Sequence, residues 1–415
     1  MSNDNAAAAG QAGPDPAGTD PGQVRAEVRA WLAREWDSSL PLAEWRRVLV
    51  DSGWARPSWE RAWFGRGLPE WADAIVAEEF AAAGAVGTPV NGAMLLASAA
   101  IRQYGPDHLR ARYLRPLLTG EETWCQLFSE PDAGSDLAGL KTRAVRSGEE
   151  WALNGQKLWS TSAHHADLAM VLARTDPDAP KHQGITFFIV PVRQPGVEVR
   201  PLRQMNGYSS FNEVFLTDAV TGAPNVVSHV GGGWAVAMTV LAAERRLGAL
   251  RRPAHHPGDG QASAEARREA DEYFETYKWY PQRAGRVDLV LEHARLSGRA
   301  TDPVARQEIA RLLSMQMVCE WTVSRASQAG QAPGPEGSIQ KLLLSQIARQ
   351  AARVHALLGG AQAMLSGPRS RFGGMLAEVL VSVPAQSIAG GTDEIQRNVI
   401  AERVLGLPRE PRSSS

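Results

Sequence analysis

The hydrophobic period of this chain changes twice along its length. Apolar residues recur at the helical spacing up to about residue 121, fall into short β-rich runs from there, and return to the helical spacing at Gly233. Residues on one face of a helix and one face of a strand follow different periods, so each change marks a change of structure. We therefore predict an α+β fold, mostly α, with a middle antiparallel β-domain and a C-terminal four-helix bundle.

Turn and cap signals refine this division. Asp20 before Pro21 predicts the first helix start, because a carboxylate caps free amides and proline suits the first helical position. Asn154-Gly155 predicts a two-residue hairpin turn between two short strands. The predicted segments are a disordered tail over 1–19, an N-terminal helical domain over 20–121, a β-domain over 122–232, a helical bundle over 233–408 and a tail over 409–415.

A polar insertion at residues 252–285 interrupts the second helical segment. It ends in an aromatic run that includes Tyr273, Tyr277 and Tyr280. The longest predicted helices are 71–83, 94–104, 234–250, 303–326, 338–358 and 393–405.

Composition excludes several classes of protein. Lys and Arg number 44 against 45 Asp and Glu, so no global field favours nucleic acid or an anionic membrane. The two cysteines give neither a disulfide framework nor zinc spacing, which favours a reducing compartment. No apolar window is long enough to span a bilayer, and the N-terminus lacks a signal-peptide layout, so we predict a cytoplasmic protein.

Common ligand-binding fingerprints do not occur in the sequence. It contains no G-x-G-x-x-G after a strand, no P-loop, no H-E-x-x-H and no G-x-S-x-G. We predict no metal site, because His164 and His165, if adjacent on a strand, point to opposite faces.

Two polar and aromatic motifs do suggest a ligand. The loop from Phe128 to Gly139 is rich in Ser, Gly and Asp, and glycine lets backbone amides approach a ligand closely. About twenty residues later, Trp159 and Thr161 place an indole and a hydroxyl near the end of the next predicted strand. This combination suits a flat heterocycle with a polar edge.

These motifs, together with 53–59 (GWARPSW), 211–215 (FNEVF) and 390–397 (GGTDEIQR), resemble the acyl-CoA dehydrogenase family. The resemblance runs from about residue 22 to 408, and its motifs occur in the family's order. It implies the acyl-CoA dehydrogenase fold and an FAD-dependent oxidoreductase that introduces an α,β double bond into an acyl thioester. A carboxylate would remove the α-proton while a hydride passes to flavin N5.

The resemblance also implies roles for individual residues. The positions matching the family's FAD contacts are Phe128, Ser129, Ser135, Trp159, Thr161, Gly359, Gly360, Thr392 and Glu394. Thr161 would lie near flavin N5, and Gly359-Gly360 would meet the cofactor of a neighbouring subunit. The positions matching substrate contacts are Ser135, Leu241, Arg245 and Gly391.

The position that carries the catalytic carboxylate in many family members is Gly390 here. A smaller branch, resembling isovaleryl-CoA dehydrogenase, carries the base on the preceding helix, where this chain has Glu244. The resemblance therefore assigns the base to Glu244 and leaves the backbone N–H of Gly390 to polarise the thioester carbonyl. Without the resemblance, the sequence favours reading Glu244 as a solvated helix-face charge paired with a neighbouring arginine.

The family buries part of each FAD against a neighbouring subunit, so the resemblance implies a homodimer or homotetramer, with a hetero-oligomer as an alternative. Family members carry an Arg-x-x-Phe-Gly element that reaches the FAD of a partner subunit, and this element is missing from residues 252–298. The usual Gln before the glycine pair is Ala356, and the Gly after it is displaced by Ala361-Gln362. The implied electron acceptor is an electron-transfer flavoprotein or an equivalent, and the implied substrate is an acyl-CoA or acyl carrier protein thioester.

Two alternatives remain open at this stage. A flavin-dependent monooxygenase on the same fold would consume oxygen rapidly. A non-catalytic subunit of a hetero-oligomeric acyl-CoA dehydrogenase would show no flavin absorbance when purified alone.

Overall fold

The computed structural model describes residues 18–247, 258–328, 336–367 and 369–409. Residues 1–17 and 410–415, which make up most of the two predicted tails, lie outside this range, as do 252–257 of the insertion. The helices are α1 (Pro21–Glu35), α2 (Leu42–Asp51), α3 (Trp71–Ala83), α4 (Gly92–Tyr104), α5 (Asp107–Thr119), α6 (Gly233–Leu247), α7 (Gln261–Thr276), α8 (Tyr280–Arg283), α9 (Val290–Leu296), α10 (Pro303–Gln328), α11 (Glu336–Gly359), α12 (Met375–Ser382) and α13 (Asp393–Arg403).

Local sequence signals place most of these helices correctly. The Asp20 carboxylate accepts a hydrogen bond from the Gln23 amide at 2.9 Å and so caps α1, as predicted. Helix α3 has the predicted bounds, and α4, α10 and α11 extend the predicted ranges by one to two residues at an end. The helical reading of the two outer segments is confirmed.

The middle segment forms a mixed sheet, not a purely antiparallel one. Its strands are β1 (Trp124–Leu127), β2 (Arg143–Ser147), β3 (Glu150–Thr161), β4 (Leu168–Arg174), β5 (Ile185–Pro191), β6 (Val197–Leu202), β7 (Phe211–Gly222) and β8 (Val226–Val227). The strand order is β6-β7-β3-β2-β4-β5-β8, with β1 beside β4. Most pairings are antiparallel, but β1 runs parallel to β4, with Trp124 opposite Leu168. The long excursion between these two strands lets the chain return in the same direction.

The predicted hairpin at Asn154-Gly155 is wrong. Strand β3 continues through this dipeptide, and its pairing with β7 shifts register between Leu153 and Gly155. A Cβ on Gly155 would collide with Thr142, so glycine serves a bulge with close backbone approach. The hairpin turn lies between β2 and β3, at Gly148.

The expected separation of His164 and His165 is also wrong. Strand β3 ends at Thr161, and the two histidines lie in the turn that follows, with ring centroids 3.9 Å apart. Within the described ranges, no group of three or more His, Cys, Asp or Glu side chains could hold a metal ion.

The described residues fall into two compact units. The first comprises residues 18–91, 106–122 and 258–272, and the second comprises 92–105, 123–247 and the chain from 273. In the first unit, Trp31 and Trp45 contact each other in the core. Much of the polar insertion is the helix α7, of which residues 261–272 belong to this unit. Ala266 is buried in the core of the unit, and Glu269 accepts hydrogen bonds from the buried guanidinium of Arg46.

The second unit contains the sheet, α4 and the C-terminal helices. Helix α4 packs against α6, and the hydroxyls of Tyr104 and Thr239 lie 3.1 Å apart between them. Helices α9, α10 and α11 share an apolar core that includes Val290, Leu312 and Val354. Of the helices in the described ranges, none combines the length and the apolar character needed to cross a membrane.

Candidate active site

The predicted cofactor loop begins where β1 ends. Phe128 is buried, and its ring meets Phe187 edge to face, with the centroids 5.8 Å apart. Ser129 is half-buried, and its carbonyl accepts a hydrogen bond from the Leu158 amide at 2.9 Å. Ser135 is exposed on the loop. The sheet therefore fixes the start of the loop, while residues 134–136 face solvent.

A buried ion pair lies beneath this loop. The Lys157 ammonium donates to Glu130 at 2.8 Å and to the Phe128 carbonyl at 3.1 Å. Burial lowers the pKa of Lys157 to about 8, although Glu130 acts in the opposite direction. Burial alone would raise the pKa of Glu130, but Lys157, Thr142 and the amide of Lys141 hold it below its usual value. Sequence reasoning missed this pair, since no local pattern joins residues 130 and 157.

Trp159 has an unusual backbone conformation near the end of β3. Its φ is 62°, and its side chain is 53% exposed, with the ring edge-on to Phe211 at 5.7 Å. A bulky residue at positive φ is strained, and such strain concentrates at functional sites. The surrounding sheet holds an exposed indole outward, where it could pack against a ligand ring.

Helix α6 carries the predicted base. Glu244 is half-buried, and its charge acts on the half-buried Tyr280, whose pKa is raised first by burial and also by the charges of Tyr273 and Glu244, against the effect of Arg283. Leu241 is half-buried one turn earlier. The side chain of Arg245 lies outside the described part of the structure.

The aromatic end of the insertion forms a packed cluster. The Tyr277 ring lies 4.8 Å from that of Tyr273 and 4.7 Å from that of Tyr280. The indole of Trp279 is buried, donates to Ser210 at 3.0 Å and contacts Phe211 at 6.1 Å. The sequence analysis does not assign these aromatic residues to the site. The signal was present, since an aromatic run at the end of an otherwise polar insertion needs a surface to bury against.

The Gly390-Gly391 turn leads into α13. Both glycines have positive φ, 70° and 86°, a region that favours glycine. The Thr392 hydroxyl caps α13 by accepting from the Ile395 amide at 3.3 Å. Asp393 is buried and pairs with Lys341 and Arg349, which anchors the turn, whereas Glu394 is exposed.

The amide of Gly390 is free to bind a ligand. Among the described residues, none accepts a backbone hydrogen bond from it, and no heavy atom lies within 4 Å of a Cβ built on it. An open N–H of this kind suits a polarised carbonyl oxygen.

Gly359 and Gly360 lie at the end of α11. A Cβ on Gly359 would lie 2.9 Å from the Ala363 Cβ and 3.4 Å from the His293 ring, which gives this glycine a packing role within the chain. Gly360 has φ 52° and open space around it. No contact within the described ranges joins this pair to Thr161 or Glu244, and their predicted cofactor role across subunits remains a prediction.

The residues present fit FAD. The exposed, strained indole of Trp159 offers a flat ring an apolar neighbour. The open Gly390 amide and the Thr161 hydroxyl, two residues after Trp159 on β3, offer polar partners. Ser129, Ser135 and Thr392 are the predicted contacts to the rest of the cofactor.

Comparison with known domain families covers nearly the whole chain. Residues 23–121 match the N-terminal domain of acyl-CoA dehydrogenases, 125–219 match the middle domain, and 231–405 match the C-terminal domain.

Similar proteins and structures agree with these matches. The chain is 35% identical to acyl-CoA dehydrogenase FadE34 of Mycobacterium tuberculosis over 93% of its own length, but it spans only 49% of FadE34. It is 32% identical to acyl-CoA dehydrogenase IpdE1 of the same organism, covering 94% of this chain and 98% of IpdE1. Among solved structures, the ChsE4-ChsE5 complex of M. tuberculosis has a chain with TM-score 0.64 and 25% identity, covering 94% of this chain and 98% of that one.

Proposed function

Because this chain belongs to the FAD-dependent acyl-CoA dehydrogenase family, we propose that it catalyses α,β-desaturation of an acyl thioester with Glu244 as the base. The reaction needs an acceptor for the α-proton, an acceptor for the β-hydride and a donor that polarises the thioester carbonyl. The chain offers residues for each requirement.

The observation that carries this proposal is the half-buried position of Glu244 on α6, in the same unit as the open amide of Gly390. Burial chiefly, with the charge of Glu244 among the smaller contributions, raises the pKa of Tyr280, whose ring lies 4.7 Å from that of Tyr277. The predicted base therefore acts electrostatically on the aromatic end of the insertion.

Each group has a defined role. Bound FAD supplies the hydride acceptor. The Glu244 carboxylate takes the α-proton, and the Gly390 amide donates to the thioester oxygen, which acidifies that proton. Trp159 and Thr161 hold the flavin ring, and Leu241 and Arg245 line the thioester.

Gly390 cannot itself take a proton, which supports Glu244 as the base. The backbone φ of 70° there would strain any other residue, but it leaves the amide N–H in place. Loss of the carboxylate at this position together with retention of the amide fits relocation of the base to α6.

We further propose that the chain assembles with a second chain of the same family. The Arg-x-x-Phe-Gly element is absent from residues 252–298, where the family carries it, and this leaves part of the FAD site without its usual residues. The similar ChsE4-ChsE5 structure is a complex of two chains, and FadE34 has about twice the length of this chain. A non-catalytic role for this chain would require that Glu244 be dispensable.

Anaerobic reduction of the FAD-loaded protein by acyl-CoA thioesters tests the proposal. Glu244→Gln keeps size and polarity but cannot take the proton, so reduction should slow by about 10²- to 10⁴-fold with FAD content unchanged. Glu292→Gln, an exposed change on α9, is the matched control and should reduce normally. Normal reduction of Glu244→Gln would overturn the assignment of the base.

Two further readouts separate the alternatives. Oxygen consumption coupled to substrate hydroxylation would favour a monooxygenase. A non-catalytic subunit would bind flavin only when the second chain is co-expressed. In that case Glu244→Gln would leave the rate of flavin reduction unchanged. An electron-transfer flavoprotein, tested as acceptor, should reoxidise the reduced protein faster than oxygen does.

A further inference from the structure

The end of β3 has an irregular backbone at the predicted flavin contacts. Its pairing with β7 shifts register between Lys157 and Ser160. Trp159 has φ 62° and Ser162 has φ 55°, so a residue in the left-handed region lies on either side of the segment Ser160–Thr161. This region is sterically costly for residues other than glycine, and such a conformation persists only where the surrounding structure holds it. A contact elsewhere must therefore restrain the end of β3.

A side chain of β7 supplies this restraint. Asn212 pairs with Ser160 in register, is fully buried, and donates from its Nδ2 to the Ser160 carbonyl at 2.9 Å. That carbonyl belongs to the peptide bond that joins Ser160 to Thr161, the central one of the three between Trp159 and Ser162. Asn212 therefore fixes the plane of the peptide from which the Thr161 side chain extends.

Asn212 acts from the face of the sheet opposite to the predicted cofactor contacts. Successive side chains of a strand alternate between its two faces, and residues that pair in register share one face. Ser160 and Asn212 are both buried, whereas Thr161 and Phe211, which also pair in register, are half-buried. A ligand that binds beside Thr161 is therefore out of reach of the Asn212 side chain, so Asn212 can affect it only through the strand.

Neighbouring residues hold the start of β7 in place. The Phe211 ring meets the Trp159 indole edge to face at 5.7 Å and lies 6.1 Å from the buried ring of Trp279. The indole N–H of Trp279 donates to the buried Ser210 hydroxyl at 3.0 Å. Asn212 thus extends from a well-packed strand, and its amide has little freedom to follow a moving peptide.

We propose that Asn212 is a positioning residue that holds the strained end of β3 in the conformation that binds FAD. Through the peptide after Ser160, it sets the direction of the Trp159 indole and the Thr161 hydroxyl. The inference rests on the proposed function, since it takes these two residues as flavin contacts. Without the Asn212 amide the strand relaxes, and only a fraction of the molecules keeps the binding conformation.

The test measures the FAD dissociation constant of Asn212→Leu, in which a side chain of similar size lacks the donor. Serial dilution of the FAD-loaded protein, followed by flavin fluorescence, gives this constant. The apparent dissociation constant is the intrinsic one divided by the fraction of molecules in the binding conformation. If about one molecule in ten keeps that conformation, the constant rises about tenfold, and this is the effect we expect.

Asn206→Leu is the matched control. The Asn206 amide lies in the same unit and donates to the Ser382 hydroxyl on α12 at 3.1 Å. Each variant loses a side-chain hydrogen bond, so each should have a lower unfolding midpoint, but only Asn212→Leu should bind FAD more weakly. Unchanged FAD binding by Asn212→Leu, measured well below its unfolding midpoint, would overturn the proposal. Equal weakening by both variants would do the same.

A double-mutant cycle with Trp159→Gly shows whether Asn212 acts through the strained backbone. Glycine adopts φ 62° without steric cost, so this position then needs no restraint. The effect of Asn212→Leu on the FAD dissociation constant should fall to about threefold or less in the Trp159→Gly background. An equal effect in both backgrounds would contradict the proposal.

Asn212→Ser provides a second variant in case the leucine variant does not fold. Serine is polar but too short to reach the Ser160 carbonyl, so FAD binding should weaken in the same direction. A wild type that binds FAD and is reduced by thioester, with normal FAD binding by both Asn212 variants, would refute this inference alone. A wild type that does not bind FAD would refute the proposed function as well.

Discussion

The Lys157 ammonium lies 2.8 Å from a Glu130 carboxylate oxygen, with both side chains buried directly beneath the residue that begins the cofactor loop. Lys157 also binds the Phe128 carbonyl, and Glu130 accepts from the amides of Lys141 and Thr142. The pair thus ties the two ends of the loop to β3. Lys157 holds both Phe128 and Glu130, so it restrains the residues on either side of Ser129, a predicted FAD contact.

Lys157→Met should destabilise the protein by about 3 to 5 kcal/mol, because it leaves the Glu130 carboxylate buried without its charge partner. FAD retention should fall as well, since the loop loses its anchor. Urea unfolding and flavin content measure the two effects. Lys181→Met, which removes a partly exposed ion pair with Asp136, should cost at most about 1 kcal/mol. Equal losses in the two variants would contradict the special role of the buried pair.

The pH dependence of stability should reflect Glu130. Its pKa in the folded protein is below the usual value of 4.5, so below that pH the unfolded chain takes up the proton first and the folded state loses stability. Glu130→Gln should therefore be destabilising at pH 7, and its difference from the wild type should narrow as the pH falls below about 4.5. Unfolding free energies at a series of pH values check this. A difference that is constant with pH would argue against the ion pair as its source.

Trp159→Gly should separate stability from cofactor binding. Glycine relieves the strain of φ 62°, worth about 1 to 2 kcal/mol, and this offsets part of the lost packing on Phe211. The unfolding free energy should therefore change little, while the dissociation constant for FAD rises about tenfold or more because the indole neighbour is gone. Phe64→Gly, at φ 63° in the other unit, is the control and should leave FAD binding unchanged. Unaltered FAD binding by Trp159→Gly would contradict the assignment of Trp159 as an FAD contact.

Gly390→Glu in a Glu244→Gly background should recover part of the activity. A Cβ at Gly390 meets no heavy atom within 4 Å, so a carboxylate fits, although φ 70° adds strain. We expect a rise of about tenfold or more over Glu244→Gly alone, within the about 10²- to 10⁴-fold range of general-base catalysis. Gly373→Glu, with φ 63° and equally open space, is the matched control and should recover nothing. Recovery by both variants would point to a nonspecific charge effect.

Sequence alone determined the parts of the fold that depend on neighbouring residues. Helix α3 and the cap at Asp20 follow from period and capping chemistry, which act over a few residues. Family motifs also predict Trp159 and Thr161 as cofactor contacts, and these two assignments stay predictions.

Tertiary structure decided what depends on distant partners. Asn154-Gly155 has the local form of a hairpin turn, but pairing with β7 and close contact with Thr142 make it a bulge within one strand. In the same way, nothing near Glu130 in sequence identifies Lys157 as its partner. The reason is physical: turn and cap propensities are set by short-range sterics and hydrogen bonds, whereas register and side-chain contacts depend on which surfaces the whole chain buries together.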